Sequence, residues 1–183
     1  MSRMRCAAIA AVTSALVIGT AAYAETPADV LERLIPQSDA GEDVHYFVPD
    51  VDLKVTGCEL AYITFGRDEN FGFDFASVQT VNAGHVQVSH AMLDYFQGDI
   101  IMPMRSGFRV IDVSTYSNVS PKAREKLAAM YNMRCEDTGC MLRREYSTLK
   151  MTIYPEHRKG KPAPLNDIFV AMSQLAETCR EDS

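Results

Sequence analysis

Apolar residues recur with a period of three or four in three segments of the chain, which predicts three amphipathic helices. The first helix follows Thr26 and ends at Pro36, the second runs from Ser120-Pro121 to about Asn132, and the third starts at Asn166. The third helix has the clearest apolar stripe, which ends on a cysteine: Ile168, Met172, Leu175, Ala176 and Cys179. The sequence therefore predicts an N-terminal, an intervening and a C-terminal helix.

Between the first two helices the pattern changes to runs rich in Val, Ile, Phe and Tyr, which favour β-strands over residues 44–117. Short turn clusters interrupt these runs at residues 66–70, 82–84, 97–99 and 105–107, which indicates an antiparallel meander. Within the run 53–65 the apolar parity shifts at Gly57, and we interpret the shift as a β-bulge. The run 86–92 is predicted to be a strand with His90 on its core side.

A later strand should rejoin the same sheet. In it Leu149, Met151 and Ile153 alternate with polar or amphipathic residues, as in a strand with one buried face. Together these elements predict an α+β fold: a five- or six-stranded antiparallel meander sheet with the N-terminal, the intervening and the C-terminal helix packed on one face.

The first 24 residues carry the features of a removable signal peptide. Arg3 and Arg5 precede an uncharged stretch that ends at Ala22-Tyr23-Ala24, the small-x-small pattern that signal peptidase cleaves. A spanning helix needs about 20 predominantly apolar residues, whereas this stretch is shorter and rich in Ala and Thr. No Arg-Arg pair precedes it, so we expect export by the general secretory route to the periplasm or the cell exterior.

Cleavage after Ala24 removes 24 of the 183 residues and leaves 159, residues 25–183. We expect this part to form a single globular domain, because its length suits one core and no internal repeat or long linker divides it. No membrane span is expected in the mature chain.

The charge of the mature domain argues against nucleic acid and anionic membranes as partners. The signal segment holds two of the 18 basic residues and none of the 24 acidic ones, so the mature chain has a net charge of 16 − 24 = −8. Its C-terminal third is nevertheless locally basic: Arg143, Arg144, Lys150, His157, Arg158, Lys159 and Lys161. Such a cluster could dock an anionic ligand or an acidic partner, but a solvated strand face and a basic loop explain it more simply.

Four cysteines remain after Cys6 leaves with the signal, and an even number in an oxidising compartment predicts two disulfides. A structural zinc site is disfavoured, because such sites use two close cysteine pairs. Cys135 and Cys140 flank a turn-forming tetrapeptide, so we predict that they pair with each other. Cys58 then pairs with Cys179 by elimination, and this bond would link the last helix to an early strand.

A copper(I) site is one alternative that the sequence raises. His90-x-Met92 and Met102-x-Met104 each place two soft-metal ligands on one face of a strand. The stretch resembles part of the histidine- and methionine-based copper(I) motif of periplasmic copper chaperones of the cupredoxin-like kind. The resemblance implies copper(I) held by His90, Met92, Met102 and Met104, but the spacing is off by one and the family's second His-x-Met is absent. We therefore favour core packing for this face.

A calcium loop is disfavoured. Residues 68–74 place oxygen ligands at positions 1, 3 and 7 of the loop pattern, but the glycine stands at position 5 and Gln79 replaces the final glutamate. A polar hairpin turn explains the segment better.

No nucleophile, zinc-protease or phosphate-loop motif occurs in the chain. We therefore expect a non-catalytic, cofactor-free module that binds a small molecule or another exported protein. The alternatives are the copper(I) site and a hydrolase whose residues, such as Asp112 and Glu145, meet only in space. A cleft lined by perturbed carboxylates or histidines would favour the hydrolase, and an open apolar space between sheet and helices would favour an apolar ligand.

Overall fold

A computed structural model describes residues 25–38, 48–68, 72–137, 139–159 and 161–181. The predicted signal segment, His45 and the centre of the calcium-like loop lie outside the described residues. The described part contains three helices and nine strands, in the order α1 Pro27–Leu34, β1 Asp50–Thr56, β2 Glu59–Asp68, β3 Phe73–Asn82, β4 Met92–Asp94, β5 Asp99–Pro103, β6 Val110–Ser117, α2 Pro121–Tyr131, β7 Arg134–Glu136, β8 Gly139–Tyr146, β9 Thr148–Thr152 and α3 Leu165–Glu181.

The predicted α+β class is confirmed, with an antiparallel sheet of six strands in the order β1-β2-β3-β6-β8-β7. The expectation of one continuous meander is wrong, because β4, β5 and β9 form a second, three-stranded antiparallel sheet. Strand β3 pairs with β6 rather than with the next strand in sequence. Strand β9 pairs with β5 and so does not rejoin the large sheet.

The predicted strand over residues 86–92 is the point at which the meander breaks. After β3 the chain forms two 3-10 turns, Ala83–His85 and Val88–His90, and touches a strand partner only through an isolated bridge between Val86 and Met104. The side chain of Asn82 accepts a hydrogen bond from the Gly84 amide at 2.9 Å, which starts the first turn. This local bond competes with the sheet ladder and directs the chain away from it.

The predicted bulge at Gly57 is also wrong. Gly57 and Cys58 form a two-residue turn, and Thr56 pairs with Glu59 across the hairpin of β1 and β2. Gly57 has φ +59°, the left-handed region that glycine adopts without steric cost at the first position of a tight hairpin turn. The parity shift in the sequence therefore marks a reversal of the chain.

Residues directly opposite one another across the large sheet define its two faces. One row, which marks what we call the covered face, consists of Leu53, Tyr62, Gln79, Asp112 and Arg144. The next row, on what we call the outer face, consists of Asp52, Ile63, Val78, Val113 and Arg143. Leu53, Tyr62 and Asp112 are buried, whereas the three apolar residues of the outer row are only partly buried.

The core lies between the covered face, the small sheet and the helices α1 and α3. Tyr62 joins the two sheets, because its hydroxyl donates to the Thr152 carbonyl at 2.9 Å and accepts from the Thr152 amide at 3.0 Å. Leu149, Met151 and Ile153 are fully buried, as their alternation predicted. Burial raises the pKa of Tyr62, so this hydroxyl stays protonated as a donor.

Helices α1 and α2 begin where the sequence predicts, whereas α3 begins at Leu165, one residue before the predicted start at Asn166, whose side chain accepts a hydrogen bond from the Tyr95 hydroxyl at 2.7 Å. Thr26 and Asp29 form a capping box at α1, and the Ser120 hydroxyl accepts from the Ala123 amide at α2. Helix α2 ends at Asn132, which adopts the left-handed conformation with φ 52°. Among the described residues no helix is both long and apolar enough to cross a membrane.

Two cysteine pairs lie at disulfide distance, and they are the two predicted pairs. The sulfur atoms of Cys58 and Cys179 are 2.15 Å apart, and those of Cys135 and Cys140 are 2.04 Å apart. The first pair connects the β1–β2 turn to the end of α3, and the second connects β7 to β8. The long pair thus ties the C-terminal helix to the large sheet.

Candidate functional site

The four candidate copper ligands do not come together. His90 and Met92 are exposed, Met92 by 61%, whereas Met102 and Met104 are buried at 0% and 7% exposure. Met92 lies opposite Ile101 in the β4–β5 pair, so Met102 projects from the other face of the small sheet. The prediction that His90 packs into the core is wrong, because Val88–His90 forms a 3-10 turn, to which strand parity does not apply.

The carboxylates that we considered for hydrolysis are also separated. Asp112 lies on the covered face, but Glu145 pairs with Ile111 and projects from the outer face beside Arg143. Asp112 accepts a hydrogen bond from the Ser77 hydroxyl at 2.7 Å, and the Ser114 hydroxyl lies within 3.3 Å of the same carboxylate oxygen. This cluster pairs two hydroxyls with a carboxylate, without a histidine to act as their base.

The three histidines of the described residues lie elsewhere. His85 stacks on Phe108 with ring centroids 3.5 Å apart, His90 contacts Ser89, and His157 contacts the Pro49 carbonyl. Within the described ranges no group of three or more His, Cys, Asp or Glu residues could hold a metal ion. Asp74, at the end of the calcium-like segment, accepts hydrogen bonds from the side chains of Arg67 and Asn118.

A groove between α2 and the covered face is a candidate binding site. Its volume is about 390 Å³, within the range of small-molecule pockets. Helix α2 forms one wall, and the ends of β2, β3, β6 and β8 form the floor. The lining residues are Asp68, Phe73, Tyr116, Ala123, Lys126, Leu127, Tyr131, Met133 and Arg144.

The groove exists because α2 covers the sheet incompletely. None of the α2 side chains that the structure describes is fully buried, and Ala123 and Leu127 are only partly covered. Below them Phe73 and Tyr116 meet edge to face, with ring centroids 5.6 Å apart and an interplanar angle of 78°. Two rigid aromatic rings thus provide the floor, and small or aliphatic side chains provide the wall.

The polar groups of the groove are mainly cationic. Lys126 and Arg144 line it together with one carboxylate, that of Asp68. The Arg144 guanidinium donates to the Tyr146 hydroxyl at 3.4 Å, and this hydrogen bond raises the pKa of Arg144. Burial raises the pKa of Tyr116, with a smaller opposing effect from Arg144. Near neutral pH the groove therefore offers a cation and a neutral phenol donor beside an apolar surface.

Sequence reasoning identified several of these residues but not the site. Ala123, Leu127 and Tyr131 belong to the segment that was predicted as the second helix, and Arg144 belongs to the basic residues of the C-terminal third. Tyr116 and Phe73 come from strands that are not neighbours in sequence, and only the β3–β6 pairing brings them together. The sequence signal for the groove is the small size of the alanine side chains in α2, which leave space between the helix and the sheet.

Comparison with known proteins gives no relative for this chain. No protein-family model, no curated protein and no solved structure matches it.

Proposed function

We propose that the protein is an exported, non-catalytic binding domain that holds a small amphipathic anion in the groove beneath α2. The observation that carries the proposal is that Lys126 and Arg144 both line a groove with an aromatic floor. Export rests on the signal-like residues 1–24 and on two cysteine pairs at disulfide distance, which suit the periplasm or the cell exterior.

The groove chemistry favours an aliphatic or aromatic carboxylate. An apolar body would lie against Phe73, Tyr116 and Leu127, where its burial gains about 25 cal/mol per Å². The carboxylate would accept charge-assisted hydrogen bonds from Arg144 or Lys126. The protein is acidic overall, so these two cations supply local attraction for an anion that the net charge of the protein repels.

The test is calorimetric titration with octanoate and naphthoate, and with octyltrimethylammonium as a cation of matched chain length. We expect the two carboxylates to bind and the cation not to bind. Arg144→Gln should weaken octanoate binding about tenfold, because it removes one charge-assisted hydrogen bond. Ala123→Phe should abolish binding by filling the groove, with retained melting temperature as the check on folding.

Arg143→Gln is the matched control, because it makes the same charge change at the adjacent residue on the outer face of the sheet. If Arg143→Gln weakens octanoate binding as much as Arg144→Gln does, the effect comes from net charge and the groove assignment fails. Equal binding of the cation and the carboxylates would refute the anion preference. Native mass spectrometry of the exported protein would identify a retained natural ligand.

A further inference from the structure

A second cavity shares no lining residue with the groove. Four of the basic residues of the C-terminal third line it. It lies between the segment after α1 and the 3-10 turn Pro155–Arg158, and its volume is about 580 Å³. The lining residues are Pro36, Gln37, Ser38, His157, Arg158, Lys159 and Lys161. The basic set of the sequence is thus divided: Arg143 lies on the outer face, and Lys150 pairs with Asp99 at 2.7 Å.

Gln37 is a buried polar side chain without a partner. Its backbone is fixed by an antiparallel bridge to Val51, with hydrogen bonds of 2.8 and 2.7 Å. The residue is only 9% exposed, yet within the described part of the chain neither the Oε1 nor the Nε2 atom of its side chain has a hydrogen-bond partner. Because unpaired buried amides destabilise a fold, such a group suggests a missing partner such as a ligand.

Two further residues that line the same cavity each have a buried, unpaired nitrogen atom. The Arg158 Nε atom is buried and has no hydrogen-bond partner among the described residues. The His157 Nε2 atom lies 3.0 Å from the Pro49 carbonyl oxygen, which can only accept, so Nε2 carries the hydrogen. In the neutral ring Nδ1 is then an acceptor, and it too is buried without a partner.

These groups define the chemistry of a ligand. Gln37 Nε2 and Arg158 Nε are donors that require an acceptor, and Lys159 and Lys161 add positive charge. Gln37 Oε1 and His157 Nδ1 are acceptors that require a donor. An anion alone satisfies only the first kind of group, whereas an anion that also carries hydroxyl groups satisfies both.

We propose that this cavity binds a small hydroxylated oxyanion, a sugar acid or a polyol phosphate. The anionic oxygens accept from Arg158 and from the Gln37 amide nitrogen, and the hydroxyl groups donate to Gln37 Oε1 and His157 Nδ1. The volume of about 580 Å³ suits a monosaccharide-sized ligand rather than a lone inorganic anion.

The experiment is calorimetric titration of the full mature chain with glucuronate and glycerol phosphate, which represent the two sources of this chemistry. Glucose tests the need for charge, and sulfate tests the need for hydroxyl groups. We expect glucuronate, glycerol phosphate or both to bind at least about tenfold more tightly than sulfate, and glucose not to bind. Absence of binding by both hydroxylated anions, or equal binding of sulfate, overturns the proposal.

Gln37→Leu separates binding from folding. We expect it to weaken binding about tenfold and to maintain or raise the melting temperature, because it removes the unpaired amide and leaves the backbone bridge intact. Arg158→Gln should weaken binding to a similar extent, and Arg143→Gln is the matched control. A lower melting temperature with unchanged affinity in Gln37→Leu would show a structural role, and equal loss in Arg143→Gln would show a net-charge effect. Either result contradicts the site.

Discussion

The two long helices of this domain contact the protein core very differently. Helix α3 buries one whole face, formed by Leu165, Ile168, Ala171, Met172, Leu175, Ala176 and Cys179. It packs against α1 and so closely against the Ala83–His85 turn that a Cβ on Gly84 would lie 2.8 Å from the Cys179 carbonyl oxygen. Helix α2 covers the edge strand β7 and its neighbour β8, and none of its described side chains is fully buried.

Because of this difference, we expect α3 to contribute mainly to stability and α2 mainly to binding. Close packing along the buried face of α3 supplies the buried apolar area that stabilises the fold. Incomplete packing under α2 contributes less stability and leaves the groove open. Binding elements are commonly drawn from the less stable parts of a structure. The following predictions test whether the two halves differ as their packing indicates.

The two disulfides should differ most in how much stability they contribute to the fold. In the chain-entropy model a bond across 121 residues contributes about 4 to 5 kcal/mol, against about 2 kcal/mol for one across 5 residues. The double variant Cys58→Ala/Cys179→Ala should therefore lose more stability in urea than Cys135→Ala/Cys140→Ala. Non-reducing peptide mapping should recover Cys58 with Cys179, and recovery of Cys58 with Cys135 or Cys140 would refute the pairing.

Truncation of an α3 side chain should lower the free energy of unfolding more than truncation of an α2 side chain. Met172 is fully buried, so Met172→Ala should cost about 2 to 5 kcal/mol through lost burial and a cavity. Leu127 is only partly buried, so Leu127→Ala should cost about 1 kcal/mol or less. Denaturant unfolding of both variants gives the two free energies, and similar costs would contradict the contrast in packing.

Removal of the helix caps should have smaller effects, which differ between α1 and α2 in how far they spread through the domain. The Ser120 hydroxyl caps α2 and the Thr26 hydroxyl caps α1, which packs against α3. Each change to alanine should cost about 1 kcal/mol of helix stability. In native-state hydrogen exchange Ser120→Ala should accelerate exchange within α2 alone, whereas Thr26→Ala should lower protection across the core. Uniform acceleration by Ser120→Ala would show that α2 unfolds only with the whole domain.

The loss of stability at alkaline pH should depend more on Tyr62, which lies in the core, than on Tyr116, which lies in the groove. Burial raises the pKa of Tyr62 and, to a smaller extent, that of Tyr116. For an acid whose folded-state pKa is raised, the stability is fully present below the unfolded pKa of about 10 and is lost as pH rises above it. Between about pH 10 and 11 the loss of stability with pH should therefore be less steep in Tyr62→Phe, and only slightly less steep in Tyr116→Phe. An unchanged slope in Tyr62→Phe would contradict its burial as a neutral donor.

Local sequence signals determined the helices and the cysteine pairs of this protein. Thr26, Pro36 and Ser120 predicted where α1 begins and ends and where α2 begins, because capping bonds and proline sterics act within one turn of a helix. The alternation at Leu149, Met151 and Ile153 predicted the buried face of β9. The spacing of Cys135 and Cys140 allowed only a short turn between them, and that proximity led to both pairs.

Tertiary structure alone decided the strand partners and both candidate sites. Apolar runs 73–82, 99–103 and 110–117 look alike in sequence, and whether β3 pairs with β5 or β6 depends on long-range contacts that a period of two does not encode. His90 shows the same limit, because the hydrogen bond from the Gly84 amide to the Asn82 side chain starts the first of two turns, and the second turn, Val88–His90, places His90 outside any strand. Tyr116 and Arg144 in the groove, like Gln37 and Arg158 in the second cavity, lie far apart in sequence. Their side chains converge only because the folded backbone brings their elements together, which no local rule specifies.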